Sequence, residues 1–179
     1  YSKTTVITLS ISGGAQTPVT WRGYQTIRWD NTGTRPLITT ATNSVNLIAV
    51  DAGYHRFINI KFSTTAATPA LGITWNAGTY GTFIDNCEFT GFTTAVKGDN
   101  LGSEFIGIST ISNCYVHDCT SYGLKLGTML AIHNVIKSCL GGGILIGDVS
   151  GGITQVIENI IHGNTGAGIA LTSMNAQTL

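Results

Sequence analysis

A short phrase that recurs five times constrains the fold of this 179-residue chain more than any other feature of its sequence. Each copy alternates apolar and polar residues around one asparagine, and these asparagines are Asn59, Asn86, Asn113, Asn134 and Asn159. They follow one another at intervals of 27, 27, 21 and 25 residues. A repeat of roughly 20–30 residues is typical of a solenoid, in which each unit buries its apolar face against its neighbours.

The local pattern within each unit favours strands over helices. Apolar and polar residues alternate with period two, and Gly, Asn, Ser or Thr interrupt the alternation at short intervals. One turn of a coil built this way takes about 20 residues at ~3.3 Å per residue, and coils stack at the ~4.8 Å strand spacing. The chain is therefore predicted to be an all-β solenoid of parallel strands with about six coils.

Alignment of the repeats predicts the inward-pointing side chains. They are Phe57, Ile84, Ile111, Ile132 and Ile157 before the asparagine, and Phe62, Phe89, Val116, Ile136 and Ile161 after it. We predict that the asparagines form one ladder, because Asn adopts the left-handed backbone of a tight turn and its amide bonds to an identical amide above it. The units at Asn134 and Asn159 lack the residue that follows Asn86 and Asn113. Either the turn tightens there or the ladder shifts by one place.

The four cysteines fall into two pairs of equivalent positions in adjacent units. Cys87 corresponds to Cys114, and Cys119 corresponds to Cys139, with Phe92 and Asn164 in the same column as the second pair. Either pair would be close enough for a disulfide bond. Buried free thiols that act as small apolar side chains are the favoured interpretation. The sequence has no CxxC or HxxxH spacing, so no zinc site is predicted.

The repeat and the opening segment TPVTWRGYQTIRWDNTGTRPLITTA at 17–41 resemble the right-handed parallel β-helix superfamily, the pectate-lyase-like solenoids. The resemblance covers about residues 17–172. In secreted and phage-encoded members, a TPITWRGY-like strand is followed by a loop and an RPLI-like strand. The resemblance implies a right-handed, single-stranded β-helix. It implies no single activity, because the superfamily contains lyases, hydrolases, epimerases, phage tailspikes and proteins without catalytic activity.

Composition and the chain ends bear on organisation and location. We expect one β-helix segment over residues 1–179, and we interpret it as internal to a longer protein because neither end carries a polar cap.

Charged residues are 10% of the chain and its net charge is zero, which argues against a nucleic-acid partner. No apolar run is long enough to span a membrane. A neutral surface rich in Thr, Asn and Gly fits an extracellular or virion-surface protein. Tailspike and fibre proteins of this fold usually trimerise, so the resemblance implies a homo-oligomer.

The outward positions beside the asparagines hold the candidate catalytic residues. These are Asp85, Glu88, His117, Asp118, His133 and Glu158. The alignment places His133 above Glu158, and His117 in one row with Lys137 and His162. Cleavage of a sugar bond requires a carboxylate near a histidine, or two carboxylates several ångströms apart. The alternative is a solvated face with Lys61–Glu88 and His133–Glu158 as ion pairs between coils.

Aromatic residues are candidates for sugar binding, since the apolar C–H face of a sugar packs on an aromatic ring. The candidates are Trp21, Trp29, Trp75 and Tyr115. The alternative is that these rings cap the coil ends or pack under loops. Arg22, Asp30 and Arg35 are expected to brace a turn at 30–33 in the first coil. Exposed aspartates are ligands that calcium uses, but no cluster of them supports a site, so we predict no cofactor and no metal.

The catalytic motifs of the best-known enzymes with this fold are missing. Pectate lyases carry an Arg-x-Pro-x-x-Arg motif, and Arg35-Pro36 is not followed by a second arginine at the required place. Polygalacturonase-type hydrolases carry paired aspartates, Gly-His-Gly and Arg-Ile-Lys, which do not occur here. The favoured interpretation is a non-enzymatic, tailspike-like structural module that binds glycans. The alternatives are a polysaccharide lyase or glycoside hydrolase, and an architectural filament or surface-layer subunit.

Overall fold

The computed structural model describes residues 2–3, 5–14, 16–24, 35–75, 79, 81–98, 109–147 and 153–172. These residues form twenty strands and no helix, and hence no helix with the length and hydrophobicity needed to cross a membrane. The strands are β1 (Ser2–Lys3), β2 (Ile7–Leu9), β3 (Val19–Arg22), β4 (Leu37–Thr40), β5 (Ile48–Val50), β6 (His55–Ile58), β7 (Lys61–Thr64), β8 (Leu71–Trp75), β9 (Phe83–Asp85), β10 (Glu88–Thr90), β11 (Thr94–Gly98), β12 (Ser109–Ser112), β13 (Tyr115–His117), β14 (Tyr122–Leu126), β15 (Met129–Ile132), β16 (Val135–Lys137), β17 (Gly142–Ile146), β18 (Gln155–Ile157), β19 (Ile160–His162) and β20 (Ala167–Leu171).

The strands stack in three parallel sheets. Sheet A has the order β1-β4-β7-β10-β13-β16-β19, sheet B has β2-β5-β8-β11-β14-β17-β20, and sheet C has β3-β6-β9-β12-β15-β18. Each coil contributes one strand to each sheet in turn, so the chain makes six complete coils and begins a seventh. This arrangement confirms the predicted all-β parallel solenoid of about six coils.

Apolar side chains fill the interior of the coil in columns. The column in sheet A consists of Phe62, Phe89, Val116, Ile136 and Ile161, as predicted. The first four of these side chains are fully buried. The rings of Phe62 and Phe89 are stacked with their centroids 4.8 Å apart. Stacking of like on like therefore holds the coils in register by packing as well as by backbone hydrogen bonds.

The equivalent column in sheet C corrects the predicted register of the last two coils. The column consists of Phe57, Ile84, Ile111, Ala131 and Val156. Ile132 and Ile157, which were predicted to point inwards, lie one residue further along. Ile132 is half-buried and Ile157 is 39% exposed. Because side chains alternate between the two faces of a strand, an alignment error of one residue reverses the face of each.

The source of this difference is the turn that joins sheet C to sheet A. It has two residues in each of five coils. The first has a left-handed backbone with φ of 50–57°, and these residues are Asn59, Asn86, Asn113, His133 and Glu158. The second residues are Ile60, Cys87, Cys114, Asn134 and Asn159. Asparagine thus moves from the first to the second turn position after Asn113. Of the two alternatives for the last units, the shift by one place is confirmed.

The predicted single ladder of five asparagines is wrong, and two shorter ladders replace it. In the first, the Asn86 amide donates to Asn59 Oδ1 at 3.4 Å. In the second, the Asn134 amide donates to Asn159 Oδ1 at 2.9 Å. Asn113 joins neither ladder, because its amide donates to Asp85 Oδ1 at 2.8 Å. The ladder breaks where the asparagine changes its place in the turn.

The second residue of the turn accepts a hydrogen bond from the coil before it. The Cys87 N–H donates to Cys114 Sγ at 3.4 Å, and the Cys114 N–H donates to Asn134 Oδ1 at 3.0 Å. The Asn134 N–H in turn donates to Asn159 Oδ1 at 2.9 Å. Cys87, Cys114 and Asn134 are buried. A buried amide without a partner is costly, so these side chains stabilise the turn of the neighbouring coil.

The turn from sheet A to sheet B has the same design. Its left-handed residues are Gly91, Asp118, Ser138 and Gly163. The residues after them are Phe92, Cys119, Cys139 and Asn164, the column that the sequence predicts. The Cys139 N–H donates to Asn164 Oδ1 at 2.8 Å. All four cysteines are buried free thiols, which confirms the favoured interpretation of both pairs.

Replacing Gly163 by alanine tests the left-handed turn position. Gly163 has φ of +62°, and an added Cβ would meet no atom within 4 Å, so backbone conformation alone sets the cost. We expect the free energy of unfolding to fall by about 1 kcal/mol in urea denaturation. The control is Gly147→Ala, where the Cβ would lie in ordinary contact 3.6 Å from the Leu126 carbonyl oxygen. Equal losses at both positions would contradict the assigned role.

Replacing Asn134 by alanine tests the inward side chain of the turn. The change leaves the buried Cys114 N–H without its acceptor and removes a hydrogen bond to the Ile111 carbonyl. We expect a loss of about 2–4 kcal/mol in the free energy of unfolding. The control is Asn113→Gly, which removes an exposed amide and keeps the left-handed backbone accessible. A larger loss for the control would show that the exposed asparagines, and not the buried ones, stabilise the turns.

Candidate functional site

The outward face of sheet A collects most of the polar residues singled out in the sequence. Their side chains alternate along β7, β10, β13, β16 and β19 with the buried column of sheet A. We call these residues the charged strip and include in it Arg35, which precedes β4, and Asp118, in the turn after β13. The residues on the strands are Lys61, Glu88, Tyr115, His117, Lys137 and His162. Strand register places His117, Lys137 and His162 in one row, as predicted. Lys61, Glu88 and Tyr115 form the adjacent row.

Glu88 is the centre of the ionic contacts in the charged strip. Its Oε1 lies 2.6 Å from Lys61 Nζ and 3.4 Å from His117 Nε2, and its Oε2 lies 3.6 Å from Arg35 Nη1. Burial raises the pKa of Glu88, but hydrogen bonds and positive charge from Lys61 and His117 outweigh this effect and the net pKa is lowered. The lowered pKa favours the ionised form of Glu88, whereas a general acid for glycoside cleavage needs a raised pKa.

His117 lies between two carboxylates. Its Nδ1 is 2.6 Å from Asp118 Oδ2, and its Nε2 faces Glu88. Only a ring protonated at both nitrogens donates to both carboxylates. Asp118 is 61% exposed and is the left-handed residue of the turn from sheet A to sheet B, with φ of 56°. The turn therefore sets the direction from which this carboxylate meets the imidazole.

Tyr115 and Lys137 complete the charged strip. The Tyr115 ring stacks on the His117 ring with centroids 4.3 Å apart and an interplanar angle of 25°. Lys137 Nζ lies 5.3 Å from the centroid of the Tyr115 ring. A hydrogen bond with the Tyr115 side chain raises the pKa of Lys137. Among the described residues Lys137 forms no ion pair, so its charge faces solvent with an aromatic ring beneath it.

Three other candidate residues lie at the turns between sheets C and A, two of them within the turns and Asp85 at the end of β9. His133 Nε2 is 2.5 Å from Glu158 Oε2, which confirms the predicted pair. Both residues occupy the left-handed turn position, not the outward strand position assigned to them from the sequence. Their side chains are 50% and 72% exposed, so solvent screens the pair. Asp85 accepts hydrogen bonds from Ser112 Oγ and Asn113 Nδ2, both at 2.8 Å, and so braces the adjacent turn.

The aromatic candidates do not form a row. Trp75 is 1% exposed and belongs to the core, so its prediction as an outward-facing sugar-binding residue is wrong. Trp21 is 42% exposed on sheet C, where its Nε1 donates to the buried His55 Nδ1 at 3.4 Å. With Tyr24 it lines an apolar cavity of about 410 Å³ at the first coils, away from Tyr115 on sheet A. Trp29 lies outside the described residues.

Arg35 makes contacts at the candidate site that the sequence did not predict. It was expected to brace the turn at 30–33, which lies outside the described residues. Its Nε donates to the Asn86 carbonyl oxygen and its Nη2 to Asn86 Oδ1, both at 2.8 Å. No local pattern signals a contact between residues this far apart in sequence. Within the described part of the chain, no group of three or more His, Cys, Asp or Glu side chains is arranged to hold a metal ion.

The comparisons with known proteins identify a family and no individual relative. A family model described as a right handed beta helix region matches residues 46–179. The match covers most of the chain, so the chain belongs to the right-handed β-helix family, in agreement with its three parallel sheets. Neither the curated proteins nor the solved structures contain a match.

Replacing Glu88 by glutamine tests the ionic centre of the charged strip. The pKa of Glu88 is lower in the folded protein than its ordinary 4.5. Its charge therefore stabilises the fold above that value, and the stabilisation is lost as pH falls through the lower folded-state pKa. We expect Glu88→Gln to reduce the free energy of unfolding by about 1 kcal/mol near neutral pH and by much less near pH 3.

The matched control is Glu158→Gln, the same chemical change at a carboxylate that is 72% exposed. Urea unfolding of the three proteins at several pH values gives the comparison. The control is expected to change stability little, because surface ion pairs contribute weakly. A loss for Glu88→Gln that does not depend on pH would contradict the ionic role.

Proposed function

We propose that this β-helix is an extracellular or virion-surface structural module that binds an acidic glycan along the charged strip. The observation that carries the proposal is the strip itself. It places polar side chains on one face of β7, β10, β13, β16 and β19, stacked one coil above the next. At ~4.8 Å between strands, five coils extend over about 20 Å. A repetitive surface of this kind suits a repetitive ligand such as a polysaccharide.

The charges of the strip favour an acidic over a neutral glycan. Its cations are Arg35, Lys61 and Lys137, and its carboxylates are Glu88 and Asp118. Arg35 and Lys61 are both paired with Glu88. Lys137 is left to meet a sugar carboxylate, and the exposed His162 follows it in the same row. Charge-assisted hydrogen bonds of this type are the stronger ones in recognition.

The stacked rings of Tyr115 and His117 provide the apolar part of the same surface. A sugar ring presents C–H groups on its faces and hydroxyls around its edge. The C–H groups pack on a ring, and the hydroxyls bond to flanking charged groups. The Tyr115 ring lies 4.3 Å from the His117 ring and 5.3 Å from the ammonium of Lys137, so both kinds of contact are available within one coil spacing.

A polysaccharide-cleaving enzyme is the second candidate. The arrangement that favours it is His117 between Asp118 and Glu88, since a histidine and two carboxylates are groups used in acid–base cleavage. Against it stands the lowered pKa of Glu88, which is the opposite of what a general acid needs. Asp118 is the more exposed carboxylate and is the residue to test.

An architectural subunit is the third candidate. The last described coil exposes apolar side chains, and these include Ile157, Ile160, Ile169 and Leu171. Stacking of copies through such side chains would bury them and would build a filament or a homo-oligomer. Sedimentation across a concentration series reports assembly directly.

Binding measurements with a lysine pair test the first proposal. The protein is titrated with a polyuronate and with a neutral glucan, beside the variants Lys137→Gln and Lys125→Gln. Both variants remove one positive charge, but Lys125 lies on β14 of sheet B. We expect Lys137→Gln to weaken polyuronate binding about tenfold, because one charge-assisted hydrogen bond contributes on that scale. Lys125→Gln is expected to leave binding unchanged.

The same samples separate the three candidates. Equal weakening by both variants would indicate attraction to overall charge and would refute a site on the charged strip. New reducing ends or unsaturated products, lost in Asp118→Asn, would establish the enzyme. Assembly without binding to either polymer would favour the architectural subunit.

A further inference from the structure

The two cysteine pairs occupy the same kind of position in the coil but different surroundings. Each pair joins equivalent turn residues of adjacent coils, so its Cα atoms are about 4.8 Å apart, within the range that a disulfide bond spans. For Cys119 and Cys139, the hydrogen bond from the Leu140 N–H to the Cys119 carbonyl oxygen, 2.9 Å, fixes this register. All four thiols are free in the structure.

The pair of Cys87 and Cys114 is held in the interior by hydrogen bonds. Cys114 Sγ accepts from the Cys87 N–H at 3.4 Å, and its own S–H donates to the Ser112 carbonyl oxygen at 3.1 Å. The Cys87 S–H donates to the Asp85 carbonyl oxygen at 3.3 Å. Burial raises the pKa of Cys114 well above its ordinary value, so a thiolate is disfavoured there.

The pair of Cys119 and Cys139 lies directly beneath the surface. The residues on both sides of each cysteine are exposed, and Leu140 is 61% exposed. The Cys119 S–H donates to the His117 carbonyl oxygen over a long distance of 3.8 Å, whereas the Cys139 S–H donates to the Lys137 carbonyl oxygen at 3.4 Å. A hydrogen bond from Cys119 lowers the pKa of Cys139, whereas the same contact and burial raise the pKa of Cys119. One attacking thiolate and one resolving thiol are thus distinguished within the pair.

We propose that Cys119 and Cys139 form a redox-active pair, which a small-molecule disulfide converts to a disulfide bond between coils while Cys87 and Cys114 stay reduced. This proposal does not rest on the glycan-binding function. A reversible covalent link between neighbouring coils would restrict the unfolded chain and so stabilise the turn beside the charged strip.

The reaction needs one equivalent of a disulfide oxidant such as oxidised glutathione. The Cys139 thiolate attacks one glutathione sulfur, the glutathione S–S bond breaks, and the first glutathione leaves as a thiolate. The Cys119 thiolate then attacks the Cys139 sulfur of the mixed disulfide, and the second glutathione leaves. The two protein thiols are oxidised and lose two protons, and the two glutathione thiolates take up those protons.

Peptide mapping of the native protein after oxidation tests the proposal. The only Lys and Arg residues after Arg56 are Lys61, Lys97, Lys125 and Lys137. Trypsin therefore places Cys87 on 62–97, Cys114 and Cys119 on 98–125, and Cys139 on 138–179. A second cut by chymotrypsin after Tyr115 separates Cys114 from Cys119. We expect a link between 138–179 and the fragment that holds Cys119, and alkylatable thiols at Cys87 and Cys114.

Three serine variants, checked for native secondary structure by circular dichroism, give the order of events. Cys119→Ser is expected to accumulate a mixed disulfide of Cys139 with glutathione. Cys139→Ser is expected to take up glutathione much more slowly than Cys119→Ser, because Cys119 is buried and burial still raises its pKa when the contact with Cys139 is gone. Cys87→Ser is the control and should oxidise at the native rate.

Two results of the peptide map would overturn the proposal. One is the absence of a Cys119–Cys139 link in native protein exposed to oxidised glutathione. The other is formation of a Cys87–Cys114 link at the same rate, which would show that the surroundings of the two pairs do not matter. If the link forms as expected, it should also raise the melting temperature by several degrees, and a reducing agent should reverse the shift.

Discussion

The structure depends on one recurring interaction, a backbone N–H in a tight turn that donates to a side chain of the next coil. Strand pairing satisfies the amides within the sheets, but the chain must bend between sheets. At these bends a thiol or an amide oxygen from the next coil supplies the acceptor, as Asn134 does for Cys114 and Asn164 does for Cys139. The left-handed residue before it directs the next side chain into the coil. Together these two residues set where each strand starts, and hence the register of every column in the core.

Much of the fold could be predicted from the sequence, because the repeat length and the period-two alternation are properties of the chain alone. The register of the last two coils could not. Asparagine suits both turn positions, since it tolerates a left-handed backbone and its amide also accepts and donates hydrogen bonds in a buried position. Asn113 occupies the left-handed first position of its turn and Asn134 the buried second position, although both are asparagine. A residue type that suits only one of the two turn positions would have been easier to align.

Some contacts of the candidate site could likewise be predicted from the sequence, and others could not. The row of His117, Lys137 and His162 was predictable, because residues at equal distances from a correctly aligned core column must stack. The contact of Arg35 with Asn86 was not, since it joins two coils through a side chain long enough to reach past its neighbours. Trp75 was misplaced because four of the five residues of β8 are buried, so its strand lacks the alternation from which an outward face is inferred.

The constancy of the turns has a consequence for how a chain of this kind varies in length. Two residues join sheet C to sheet A in each of the five turns at Asn59, Asn86, Asn113, His133 and Glu158. Between sheets B and C, by contrast, two residues separate β14 from β15 and ten separate β11 from β12. Between β11 and β12, additional sequence is therefore accommodated at the edge between sheets B and C, where loop length carries little entropic penalty. Peptides inserted along that edge in successive coils would emerge side by side, which makes the fold a regularly spaced scaffold for displaying them.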